Sequence, residues 1–134
     1  MKLNLESLKE ILAAVENCPS HQIDALDLKQ SVLGATKDDA AYDAYVGHVR
    51  LLIRSDLLVC SHDDGFASYA SGPRTPIRGA TYELSMTGYQ LLEGLRNQTI
   101  MGQIKTYLKG VGASGLKNAP GFVVATAIQL MLKG

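Results

Sequence analysis

The segment TKDDAAYDAYVGHVRLLIRSDLLV, residues 36–59, decides the fold. Behind its acidic start, Tyr42, Tyr45, Val46, Val49, Leu52 and Ile53 recur at the spacing of a helix with one apolar face. Thr36 and Asp39 have the spacing of a capping box, with Asp in place of the usual Glu. Asp38 and Asp39 lie where the helix dipole favours negative charge, and Arg50 and Arg54 where it favours positive charge. These signals predict a helix over 37–55. The apolar Leu57-Leu58-Val59-Cys60 that follows reads as a strand. Asp63-Asp64-Gly65 supplies turn chemistry, and Thr81-Tyr82-Glu83-Leu84 alternates like a returning strand. A helix that feeds a β-hairpin, followed by another helix, is how a winged helix-turn-helix is built.

Working outward, Leu5, Leu8, Ile11, Leu12 and Val15 predict a helix over 5–17, stopped by Pro19. Residues 20–34 have two readings. Ile23, Ala25 and Leu28 could alternate as a short strand, or Asp24 could cap a helix containing Leu26, Leu28 and Val32. Residues 71–76, rich in Pro and Gly, are read as a wing tip or adjoining loop rather than a ladder. Thr87 is the expected cap of a helix carrying Leu91, Leu92 and Leu95, with an interruption at 97–99 and a restart through Met101, Ile104 and Leu108. The glycines of 110–115 predict a flexible linker, and 120–133 a last helix that is apolar nearly all round. The predicted class is α+β, mostly helical: a winged helix-turn-helix over 1–86 with a C-terminal helical extension over 87–134.

An apolar fraction of 46% in 134 residues suits one core of ordinary size, built from aliphatic side chains because Trp is absent and Phe occurs twice. The longest apolar runs are too short to span a bilayer, and the mixed charge of residues 2–10 is not that of a signal peptide. Two cysteines are too few for a disulfide framework, so a reduced, cytoplasmic protein is expected. Thirteen basic residues against thirteen acidic ones count against a nucleic-acid binder without excluding a local basic patch.

His48-Val49-Arg50-Leu51-Leu52-Ile53 with Leu57-Leu58-Val59 resembles the central helix and first wing strand of an uncharacterised phage and prophage protein family. Residues 82–96, YELSMTGYQLLEGLR, resemble that family's strand-to-helix segment, and the similarity extends over nearly the whole chain. Asp56 stands where a Gly is common, Met86 and Met101 where Trp is, and Tyr89 where His is; residues 71–78 look like an insertion in the wing. The family is a domain of unknown function. The resemblance therefore implies a winged helix and a phage context in a bacterial host, and no catalytic residues.

If DNA is the target, Lys37, Arg50 and Arg54 with the wing residues Arg74 and Arg78 are expected to contact it. Against this, the part of the helix that normally reaches base edges carries Asp38, Asp39 and Asp43, the wrong sign for a polyanion. His48 has a functional reading as a contact to nucleic acid and a preferred structural one as a half-buried imidazole with a paired nitrogen. Cys18, His21, Cys60 and His62 could in principle hold zinc, which is the weaker reading of those residues. No cofactor is expected and no catalytic constellation stands out, so no enzyme is expected. The apolar excess of the last helix, at Val124, Ile128, Met131 and Leu132, favours a homodimer. The function expected first is a DNA-binding regulator acting through central helix and wing; the alternative is a winged helix that binds or inhibits a host protein complex.

Overall fold

A computed structural model describes residues 2–67 and 75–133, the side chains of 130–133 excepted. The chain runs α1 (Leu5–Glu16), β1 (Ile23–Asp24), α2 (Ala25–Leu33), α3 (Asp39–Arg54) and β2 (Leu58–Cys60), then β3 (Phe66–Ala67), β4 (Thr75–Pro76) and β5 (Thr81–Leu84). It continues through α4 (Met86–Arg96), α5 (Gln98–Val111), a 3-10 helix (Ala113–Asn118) and α6 (Ala119–Lys133). The class is α+β and mostly helical, as expected. Among the described residues, β1, β5 and β2 form an antiparallel sheet in that order, and β3 pairs with β4 in a separate hairpin between β2 and β5.

The helix reading of residues 20–34 holds, and of the strand reading only Ile23 does, since Ala25 and Leu28 lie in α2. Ile23 pairs with Tyr82 as a short strand, and one residue later the Asp24 carboxylate accepts from Leu26 N and starts α2. The central helix is where periodicity placed it, but its cap is not. Asp38 occupies the N-cap and accepts from Ala40 N, whereas Thr36 accepts from Asp38 N in a turn outside the helix. Consecutive aspartates offer two capping registers, and the backbone used the earlier one. Ser85, not Thr87, caps α4: its Oγ accepts from Gly88 N. Thr87 instead donates to the carbonyl of Asp56, as does Ser85, tying the end of α3 to the start of α4.

Two expectations drawn from glycine and proline content are corrected. Residues 110–115 are not a flexible linker: α5 continues to Val111, Gly112 at φ 71° closes it, and the 3-10 helix follows. At Gly115 a Cβ would lie 2.1 Å from Val111 Cγ2, so that glycine permits tight packing rather than slack. Pro76 does join a ladder, opposite Phe66. Ile77 N–H donates to Gly65 O beside that pair, which makes Phe66 and Pro76 a non-hydrogen-bonded pair where a missing N–H costs nothing.

The core is one continuous, mainly aliphatic cluster from Leu5 to Val123. From α3 it takes Tyr45, Val46, Val49 and Leu52; from the sheet, Leu58, Tyr82 and Leu84; from α4, Leu91, Leu92 and Leu95. The last helix packs mainly on α4, where Gly94 leaves room for Val123: a Cβ there would lie 2.6 Å from Val123 Cγ1. Since α4 begins at Met86, the expected boundary after residue 86 falls in its first turn. No helix among the described residues is long and apolar enough to cross a membrane.

Candidate recognition surface

The start of α3 is exposed and acidic. Asp38, Asp39, Ala40 and Asp43 all face solvent, and neither Asp39 nor Asp43 has a basic partner among the described residues. Half-buried Tyr42 lies behind them, with the Lys29 ammonium 5.0 Å from its ring centroid. Burial, and then the neighbouring Asp43 charge, raises the Tyr42 pKa.

Further along the helix the side chains turn inward. Tyr45 is buried and packs edge-on against Phe66, their ring centroids 6.1 Å apart. Its hydroxyl has no hydrogen-bond partner among the described residues, and burial pushes its pKa well above 10.0. His48 is fully buried. Its Nε2 accepts from Asn4 N at 3.0 Å, and its Nδ1 lies 2.6 Å from the Ala44 carbonyl. With one nitrogen accepting and the other donating, the ring is a neutral imidazole that fixes the residues preceding α1. The structural reading of His48 is the one its surroundings support.

The cations expected to meet DNA are divided. Arg50 is largely buried and committed: its Nε donates to Asp64 Oδ2 at 2.6 Å. The other oxygen of Asp64 accepts from Phe66 N, and Tyr82 donates its hydroxyl to the Asp64 carbonyl at 2.6 Å. Gly65, at φ 83°, completes this turn, and a Cβ there would overlap the Tyr82 hydroxyl. Arg50 thus fastens the base of the β3–β4 hairpin to α3. Lys37, Arg54 and Arg78 are exposed and free of ion pairs among the described residues. Arg74 lies outside the described residues.

Cys18 donates its thiol to the Gln22 carbonyl and Cys60 to the His62 carbonyl. Burial pushes the Cys60 thiol pKa up, which disfavours the thiolate a metal would need. Among the described residues no three His, Cys, Asp or Glu side chains gather where they could hold a metal ion, so Cys18, His21, Cys60 and His62 do not converge. On α6, Val123 and Thr126 are buried while Val124 and Ile128 are exposed, at 38% and 52%. The side chains of Met131 and Leu132 lie outside the described residues.

Comparison with known proteins returns no matching family model, curated protein or solved structure.

Three partners escaped the sequence reading: Asn4 for His48, Asp64 for Arg50, and the sheet residue Tyr82 for the Asp64 turn. The acceptor capacity of Asp64 was visible in the sequence. Its pairing was not, because it depends on how the chain returns across α3.

Proposed function

We propose that this chain is a winged helix, of the phage-family type it resembles, whose target is a protein and not a DNA duplex. Support for the winged helix comes from the order helix, strand, helix, helix, strand, hairpin, strand, with the first strand paired to the last. Residues 1–86 are then the winged-helix unit and 87–134 its helical extension.

One observation carries the protein-binding reading: the exposed aspartates at the start of α3, free of ion pairs among the described residues. In a helix-turn-helix, that end of the second helix enters the major groove. Asp39 and Asp43 would there face a phosphate lattice carrying one charge per ~1.7 Å of duplex axis. Arg50, about two turns after Asp43, is already neutralised by Asp64 and adds little attraction. A protein surface with basic residues suits this end of the helix far better. A bacterial host protein, met in the cytoplasm, fits the phage resemblance.

The experiment is affinity capture from host lysate with wild type and with an Asp39→Lys, Asp43→Lys variant. Asp38 is left in place because its carboxylate caps α3. A stoichiometric protein retained by wild type and lost by the variant is expected; an unchanged capture profile overturns the reading. DNA binding, the function expected first from the sequence, becomes the second reading, favoured by the exposure of Lys37, Arg54 and Arg78.

A further inference from the structure

A groove of about 530 Å³ opens between the residues that lead into α1 and one face of α5. Leu3, Leu5 and Leu108 line it together with Lys2, Lys105 and Lys109, and Glu6 is its one acidic residue. None of the three lysines is ion-paired among the described residues. One wall is built in advance. Asn4 is held at its N–H by buried His48, while its side chain and carbonyl accept from Ser7 N and Leu8 N at the start of α1. The partial positive charge of the α1 N-terminus adds to that of the lysines.

We propose that this groove binds an acidic amphipathic helix of a partner protein, an inference that rests on the protein-binding reading above. Charge complementarity selects the occupant: three ammonium groups outnumber one carboxylate in a chain of zero net charge. Lys105 and Lys109 lie on one side of α5, about 6 Å apart along its axis, with Leu108 between them in sequence. That spacing matches carboxylates one helical turn apart at the edge of an apolar stripe. Half-buried Leu3 gives such a stripe an apolar surface to cover, over a floor made by the buried Leu5 and Leu108, as in other helix-in-groove complexes. A nucleic-acid backbone would satisfy the lysines and leave the leucines against phosphate.

The test is a nuclear magnetic resonance titration of the whole chain with a short acetylated helical peptide. The peptide carries leucines at three- and four-residue spacing, flanked by glutamates. Two controls replace its glutamates by glutamines or its leucines by serines, and a duplex oligonucleotide is titrated in parallel. The expected result is a set of shifts centred on Asn4, Leu5, Lys105, Leu108 and Lys109, with both control peptides binding at least tenfold more weakly. Lys105→Glu with Lys109→Glu should weaken binding at least tenfold, and Lys105→Gln with Lys109→Gln by a smaller factor, with circular dichroism unchanged. Shifts centred elsewhere, equal binding by these variants, or preferential filling of the groove by the oligonucleotide would overturn the proposal. In the capture experiment, a groove variant that retains the wild-type partner defeats the groove alone, whereas wild type capturing no protein defeats the reading beneath it.

Discussion

Removing one oxygen atom from the core should stabilise this protein. Tyr45 is 4% exposed, and its hydroxyl lacks any hydrogen-bond partner among the described residues. An unsatisfied buried hydroxyl costs about 1–3 kcal/mol relative to its hydration in the unfolded chain. Tyr45→Phe removes that cost and keeps the ring against Phe66 and Tyr42. The small void it leaves returns a few tenths of a kcal/mol, at about 24 cal/mol per Å³. The net gain should be about 1–2 kcal/mol, or a Tm rise of roughly 3–8 °C for a domain of this size. The same residue links stability to pH. Burial raises the pKa of Tyr45 and of Tyr82 above the 10.0 of an unfolded tyrosine. Stability is then fully present below about pH 10 and falls as pH rises further, because the unfolded chain loses these protons first. Each of the two contributes a slope of about 1.4 kcal/mol per pH unit, so Tyr45→Phe should remove one share of the alkaline loss. Urea denaturation followed by circular dichroism at neutral and alkaline pH measures both effects. A variant less stable than wild type at neutral pH, or one with the same alkaline slope, would refute the reasoning.

Four further outcomes are expected. Gly94→Val should push α6 off α4 through Val123 and cost about 2–4 kcal/mol, read from the urea midpoint and from faster proteolysis of the C-terminal helix. Asp56, at φ 61°, sits where glycine is at ease. Asp56→Gly should therefore stabilise by up to about 1 kcal/mol in the same assay, since its pair with Lys117 is well exposed and adds little. A double-mutant cycle on Arg50→Met and Asp64→Asn should return a coupling of about 0.5–1.5 kcal/mol, because the pair is mostly but not wholly removed from water. If the exposed side of α6 is a dimer seam, Val124→Glu with Ile128→Glu should convert a dimer to a monomer in sedimentation equilibrium; a wild type that is already monomeric at high concentration removes that idea.

Local patterns were legible and long-range partners were not. The apolar recurrence from Tyr42 to Ile53 predicted α3 almost to its ends, since a single face of that helix is buried. Its cap slipped by two residues because Thr36, Asp38 and Asp39 can all accept from a free N–H, and backbone geometry alone chooses among them. Glycine content misled at 110–115. There Gly115 is needed by its close contact with Val111, a demand that composition cannot distinguish from flexibility. Ile23 looked ambiguous because a two-residue strand runs straight into the Asp24 cap, and the apolar Ala25 and Leu28 that seemed to extend the strand belong to the helix.

The candidate surfaces divide in the same way. The acid at the start of α3 was readable because neighbours in sequence stay neighbours on a helix. The neutralisation of Arg50 was hidden, as Asp64 reaches it only after the chain turns back from β2. The groove was hidden further still. Lys105 and Lys109 are visibly one turn apart, but Lys2 joins them only because His48 anchors Asn4 and α5 lies alongside.

The central claim is that the exposed start of α3 turns this chain away from DNA. Fluorescence anisotropy of a labelled random-sequence duplex, titrated with wild type and with Asp39→Lys, Asp43→Lys across a series of salt concentrations, tests it most directly. The predicted result is no salt-sensitive binding by wild type even at low ionic strength, and its appearance in the charge-reversed variant. Wild-type binding whose logarithm falls steeply and linearly with the logarithm of salt concentration would contradict the claim.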